Sequence, residues 1–192
     1  MEKVNLNLGC GVKVLKGFIN VDLYDLKDLK EAKGILHEAE VKGRYIKADV
    51  RELPFKDNFA DYILASEILE HIPLVDLSRT LLEWIRVLKP GGRMVIKSPD
   101  FDEMAKDWLE GFDPKTYSEK AQGIYGNQIT EYEVHRSPIN RKLLEYFLYN
   151  MGIKKGKIWV YPKGHKMVGY PGIKARADRV YRYGEVHVDF RK

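Results

Sequence analysis

The feature that most constrains this chain is a series of short apolar runs, the first three stopping at a glycine turn or an acid, with segments of helical length between several of them. Val4 to Leu8 alternates apolar residues with Asn before the turn Gly9-Cys10-Gly11. Phe18 to Asp22 and Tyr45 to Asp49 are strand-like and both end on aspartate. Phe59 to Ala65 is apolar without clean alternation, as a central strand buried on both faces should be. Arg93 to Lys97, Lys157 to Tyr161 and Arg182 to Phe190 complete seven. In the last of these, Val186, Val188 and Phe190 face one way and Glu185, His187 and Asp189 the other.

Between the runs, apolar residues recur at helical steps. Leu74, Leu77, Leu81, Trp84, Ile85 and Leu88 form one such stripe, with Asp76 in its first turn and Pro90-Gly91-Gly92 as its stop. Leu143, Leu144, Phe147 and Leu148 form another within 139–151. A charged helix is expected over 26–40, with Leu26, Leu29 and Leu36 inward. Residues 101–136 are helical only in patches, broken by Gly111, Pro114, Gly123 and Gly126, and read as an insertion over the sheet edge that covers a substrate. Residues 162–177, rich in glycine and cations, read as a loop. Strands alternating with helices predict an α/β fold, a mostly parallel sheet with helices on both faces and ligands at the carboxyl ends of its strands.

The 192 residues suit a single domain, and 44% hydrophobic content is enough for a sizeable core. No window reaches the roughly 18 apolar residues of a membrane span. The N-terminus enters strand-like sequence without a secretory pattern, so a cytoplasmic location is the default expectation. Cys10, the single cysteine, has no disulfide partner and no companion thiols for a metal site, so no metal is predicted. A net charge of +5 favours anionic partners without choosing among them.

The strand ends carry the chemistry. Two glycines at the first turn let a ligand approach the backbone where a β-carbon would obstruct it. Asp22 can accept both hydroxyls of a ribose. Asp49 can accept from an adenine amino group, with the Val50 amide near the ring. A dinucleotide fits poorly, because GCGVKV lacks the third glycine and Asp22 follows Gly9 too soon for a phosphate-binding helix and a second strand.

In order and spacing, LNLGCG, FINVD, KADVRELPF, FADYILASEILEHI and LLEWIRVLKPGGRMVIKSPD resemble the class I (Rossmann-like) S-adenosylmethionine-dependent methyltransferases, in the small branch with a shortened region after the glycine loop. EVHRSPINRKLLEYFLYNMGI and GEVHVDF match more weakly. The resemblance implies a seven-stranded sheet whose last strand is antiparallel, and S-adenosylmethionine as cofactor with S-adenosylhomocysteine as product. It also implies that Gly9, Cys10 and Gly11 pass under the methionine part, Asp22 with Leu23 holds the ribose, Asp49 and Val50 hold adenine, and Ser66 and Glu67 lie beside the sulfonium. Two departures stand out: Asn7, which is expected to contact the cofactor, occupies a place the family often fills with an acid, and Val12 to Gly17 leaves little room for the usual first helix.

The methyl acceptor is less legible. A hydroxyl acceptor would need a base, for which His71, His135 and Glu67 are candidates, although His71 could equally fix the turn before Pro73. Glu70 shares a helical face with Glu67. Tyr125, Asn127 and Gln128 in GIYGNQ combine a ring with amides, as recognition of a polar substrate requires. Ser98-Pro99-Asp100 lacks the Asn-Pro-Pro-aromatic arrangement associated with amino-group methylation, and Ser66 lacks a nucleophile elbow. The favoured reading is transfer to a small-molecule or carbohydrate acceptor at oxygen. The alternatives are a nucleic-acid methyltransferase, through the basic 163–179 stretch with Tyr161, Tyr170 and Tyr181, and a domain that binds cofactor or a partner without catalysis.

Overall fold

The computed structural model describes residues 3–28, 44–128, 130–153, 156–166, 169 and 184–192. Its strands are β1 (Asn5–Leu8), β2 (Ile19–Asp22), β3 (Arg44–Lys47), β4 (Ala60–Ser66), β5 (Leu88–Pro99), β6 (Gly156–Tyr161) and β7 (Glu185–Arg191). They form one sheet in the order β3-β2-β1-β4-β5-β7-β6. β1 to β5 pair in parallel, and β7 runs antiparallel between β5 and β6. This is the mostly parallel sheet with an antiparallel last strand that the sequence predicts.

Helices α1 (Leu77–Val87) and α4 (Arg141–Asn150) bury their apolar stripes in the main core. Leu77, Leu81, Trp84 and Val87 of α1 and Leu144 and Leu148 of α4 pack there with Ile63, Ala65, Met94, Ile96, Val186 and Val188 of the sheet. The opposite side of the central strands carries a smaller cluster of Phe18, Tyr62, Leu64 and Val95. α4 starts where Asn140 accepts a hydrogen bond from the Leu143 amide at 2.8 Å, an N-cap that satisfies one orphan donor of the first turn.

One expectation needs revision. α1 ends at Val87 rather than at Pro90, because Leu88 is already extended, fully buried and paired with Ala60 in β5. The residue before a proline disfavours helix, which places the break ahead of Pro90 rather than at it. The polar face of β7 is largely enclosed. Glu185 and His187 are buried, with Glu185 ion-paired to Lys97 at 3.2 Å and hydrogen-bonded to His187 at 2.8 Å, while Asp189 pairs with Arg93 at 2.6 Å. The helix expected over 26–40 is helical at 26–28, and its remainder lies outside the described residues, as do most of 162–177 and both Tyr170 and Tyr181.

Within 101–136 lie α2 (Phe101–Leu109), α3 (Tyr117–Tyr125) and a short turn, Glu131–Glu133. α2 begins at a capping Asp100 that accepts from the Glu103 amide at 3.0 Å. It packs on α3 through Trp108 and Tyr117, whose rings lie 5.5 Å apart. The described residues contain no helix long and apolar enough to cross a membrane.

Trp84 ties this frame to the strand ends. It is fully buried on α1, and its indole N–H donates to the Val50 carbonyl at 2.9 Å. Trp84→Phe removes buried ring surface and leaves that carbonyl unpaired, a loss of about 2–4 kcal/mol. Thermal unfolding followed by circular dichroism should show a midpoint lower by about 5–15 °C for a domain of this size.

Candidate active site

The carboxyl ends of β1, β2 and β4 and the loop after β3 open into one cavity of about 440 Å³. Its wall brings together Gly9, Asp22, Asp49, Glu67, His71 and His135 from five separate stretches of chain. That volume lies in the range of small-molecule and cofactor sites.

The glycine turn follows β1 directly. Gly9 has φ +61°, and a β-carbon there would run into the side chain of Ile68, so the position excludes any other residue on two counts. The Cys10 amide donates to the Val21 carbonyl at 3.1 Å, and the Gly11 amide donates to Asp22 Oδ2 at 2.7 Å. The second carboxylate oxygen of Asp22 accepts from the Tyr24 amide at 3.3 Å. The loop and the acid therefore fix one another at the cavity wall. Burial and the neighbouring Asp22 charge push the Cys10 thiol up to about 12, so it stays protonated and is no nucleophile.

Asn7 does not reach the cavity wall. It is buried, and its amide N–H groups donate to the Lys13 carbonyl at 3.0 Å and to Asn20 Oδ1 at 2.9 Å. Asn20 Oδ1 in turn accepts from the Leu15 amide at 2.8 Å. This corrects the expectation of a cofactor contact and explains the departure from an acid. With no helix after the turn, a side chain that donates to a backbone carbonyl is needed here, and a carboxylate cannot donate.

Asp49 lies just past β3. Its carboxylate is gripped by Arg51, with Nη2 at 2.7 Å from Oδ2, and Arg51 Nη1 reaches Asp76 at 3.0 Å. Burial opposes ionisation of Asp49, but the Arg51 hydrogen bonds and charge outweigh it and hold the carboxyl below its ordinary value. Val50 is buried beside it, positioned by Trp84. Leu23 and Ser66 also face the cavity.

Beyond β4 the chain turns sharply. Glu67 sits at φ +58°, the left-handed region that a residue with a β-carbon rarely adopts, while its amide donates to the Lys97 carbonyl at 2.9 Å. Its carboxyl is buried, and Oε1 has no hydrogen-bond partner among the described residues. Burial and the Glu185 charge raise it to about 7. Glu70, also buried, is raised by burial and by Glu67, while its Oε2 accepts from Ser98 Oγ at 2.9 Å.

His71 and His135 come together from positions 64 residues apart, their rings 5.1 Å from centre to centre. The cause is a backbone clamp: the Arg136 and Ser137 amides both donate to the Glu70 carbonyl, at 2.7 and 3.1 Å, and Ser137 Oγ donates to the Ile72 carbonyl at 2.6 Å. Nδ1 of His71 lies 3.0 Å from the Val134 carbonyl and Nδ1 of His135 lies 2.9 Å from the Gly123 carbonyl. A carbonyl only accepts, so each Nδ1 carries a proton, and in the neutral imidazole Nε2 then holds the lone pair. Burial and the neighbouring His71 push His135 down to about 4, so it is neutral near pH 7.

The GIYGNQ segment divides. Gly126 and Asn127 line the cavity together with Gln122. Tyr125 is 54% exposed and Gln128 points elsewhere, so neither side chain is part of the wall. Gly126, at φ +79°, has the Glu133 carbonyl where a β-carbon would stand, which lets residues 126 and 133 cross closely at the cavity mouth. Two features of the surroundings were not singled out from sequence: Ile68 as the partner of Gly9, and the buried Lys97–Glu185–His187 group. The second had a signal in the polar face of the last strand.

The family model described as a methyltransferase domain matches residues 6–96. Over 80 residues the chain is 40% identical to a ubiquinone/menaquinone biosynthesis C-methyltransferase, UbiE, from Idiomarina loihiensis, covering 40% of this chain and 31% of that one. An uncharacterized methyltransferase from a Mycobacterium species is 43% identical over 58 residues, 30% of this chain and 22% of that one. The chain thus spans less than a third of the length of these curated relatives. Among solved structures, a SAM-dependent methyltransferase from Archaeoglobus fulgidus superposes with TM-score 0.62 at 19% identity over 99% of this chain and 86% of that one. One from Methanosarcina mazei gives 0.56 at 18% identity over 100% and 93%. The superpositions show the fold, that of SAM-dependent methyltransferases, and over residues 6–96 the chain is similar to the methyltransferase domain.

Proposed function

We propose that the protein is a single-domain enzyme that methylates a small-molecule or carbohydrate acceptor at oxygen, with residues 101–136 covering the acceptor. The observation that carries this reading is the convergence of two sets of groups in one cavity. Gly9, Asp22, Asp49 and Val50 suit an adenosine-bearing cofactor, and the paired His71 and His135 suit a hydroxyl.

The cradle left by Gly9 against Ile68, and the carboxylates at two successive strand ends, are what S-adenosylmethionine requires of its site. When bound, the cofactor supplies a methyl group on a positively charged sulfur. The backbone of Gly9 to Gly11 would run beside its methionine part, Asp22 and Leu23 would hold the ribose, and Asp49 and Val50 the adenine. Ser66 and Glu67 would border the charged end, where an ionised Glu67 offsets positive charge. His71 and His135, with their lone pairs on Nε2, act on the acceptor's hydroxyl. Asn127 is the remaining substrate-facing candidate of its segment. Held in one site, cofactor and acceptor react without the entropic cost of a chance encounter, which supplies several kcal/mol toward the barrier.

A carbon acceptor is the second reading, favoured by the name of the UbiE relatives. A hydroxyl on the same ring would then be deprotonated to activate the carbon, so the two histidines keep their role.

Calorimetric titration with S-adenosylhomocysteine should show micromolar binding, weakened about 10–100-fold in Asp22→Ala and in Asp49→Ala, as loss of charge-assisted hydrogen bonds worth about 1.5–3 kcal/mol predicts. Absence of binding by the parent would remove the proposal. Gly9→Ala should weaken binding at least as much, since its β-carbon displaces Ile68 and strains the turn. His135→Ala should retain cofactor binding while lowering kcat by about 10²–10⁴-fold in a radiolabelled methyl-transfer screen of hydroxylated acceptors. Unchanged kcat would take His135 out of the chemistry.

A further inference from the structure

Glu70, His71 and His135 each present one donor atom to a common point, and these atoms all lie within 4.8 Å of one another. Glu70 Oε1 and His71 Nε2 are 3.9 Å apart, too long for a hydrogen bond. Tetrahedral ligands about 2.1 Å from one ion stand about 3.4 Å apart, so Glu70 and His71 need to close by about half an ångström and the widest pair by at most about 1.4 Å, within reach of side-chain adjustment.

We propose that these three side chains bind one divalent transition-metal ion at the acceptor end of the cavity, and that the ion takes a hydroxyl oxygen of the acceptor as a further ligand.

Three independent observations support the site. Each ligand is already oriented by an outer partner, as metal ligands characteristically are: Nδ1–H of His71 to the Val134 carbonyl, Nδ1–H of His135 to the Gly123 carbonyl, and Oε2 of Glu70 from Ser98 Oγ. This leaves the donor set as two Nε2 atoms and one carboxylate oxygen. The second observation is charge. Glu67 and Glu70 place two carboxyl groups in the same buried wall, and Glu67 Oε1 lacks a partner among the described residues. Buried carboxylates are costly unless paired, and a dication compensates both. The third is that the backbone clamp on the Glu70 carbonyl spends two amides on joining the segments that carry the ligands.

Two imidazoles with one carboxylate favour zinc, manganese, iron, cobalt or nickel over magnesium and calcium, which prefer oxygen ligands throughout. Three protein ligands leave open positions that face the cavity. With the ion in place the two imidazoles are ligands, and the cation lowers the pKa of the coordinated hydroxyl. The hydroxyl proton passes to solvent, the oxygen forms the new C–O bond, and the C–S bond breaks with its electron pair going to sulfur, which becomes a thioether. This last step rests on the methyl-transfer reading above, whereas the metal site rests on the three ligands alone.

The test is titration of chelator-treated full-length protein with Co²⁺, followed by visible absorption and by calorimetry, with Zn²⁺ as competitor. One equivalent should bind, with d–d bands that Zn²⁺ abolishes. His135→Gln and Glu70→Gln should each weaken binding by at least 10–100-fold, while His165→Gln, an exposed histidine outside the site, should not. Retained binding of S-adenosylhomocysteine by the same variants shows that they are folded. No Co²⁺ uptake by a parent that binds S-adenosylhomocysteine overturns the metal site and leaves the cofactor reading standing. Uptake unaffected by His135→Gln and Glu70→Gln overturns it as well. Metal binding in a parent that ignores S-adenosylhomocysteine supports the site and removes the methyl-transfer reading instead.

Discussion

The site depends on the parallel pairing of β1 with β2 on one side and β4 on the other. Leu8 stands level with Val21 and with Ala65, so Gly9, Asp22 and Ser66 leave the sheet at the same edge. A shift of one residue in either register would turn each strand's side chains to the opposite face and move the acid away from the glycine turn. The registers are held by burial, since Leu6, Leu8, Val21, Ile63 and Ala65 all lie in the main core. The Gly11 amide to Asp22 hydrogen bond then locks the turn to the neighbouring strand end.

The other half of the cavity is made by a different device. Segment 101–136 leaves the sheet after β5 and must return to it, and the two amides on the Glu70 carbonyl mark where it does. That junction sets His135 against His71 and confines two carboxyl groups nearby. Arg51 favours the ionised form of Asp49, whereas burial pushes Glu67 and Glu70 toward neutrality. The two ends of the cavity therefore differ in electrostatics, with an ion-paired carboxylate at one and buried carboxyl groups shifted toward the neutral form at the other.

The asparagine pair shows how a departure from the family pattern can be absorbed locally. Asn7 and Asn20 stitch Lys13, Leu15 and each other together, doing with side-chain amides what a following helix would do with its backbone. The polar face of β7 is a similar case. An alternating strand suggests one wet face, yet Lys97 and Glu185 pair across the sheet and His187 is fully enclosed. The alternation was legible, but not the cover over it.

The strand sequence, the glycine turn and the acids at Asp22 and Asp49 were determined by sequence alone, because period, turn chemistry and strand-end position are local properties of a few consecutive residues. The same local reasoning placed Tyr125 and Gln128 with Asn127 in a substrate segment, and only Asn127 faces the cavity, since the direction of a loop side chain depends on what the loop packs against. It likewise could not tell that Asn7 braces the turn from within, or that α1 stops at Val87 because Leu88 has a strand partner in Ala60. The meeting of Glu70, His71 and His135 was decided by the tertiary structure. Their approach is set by two backbone hydrogen bonds across 66 and 67 residues of chain, and no local pattern encodes a contact at that separation.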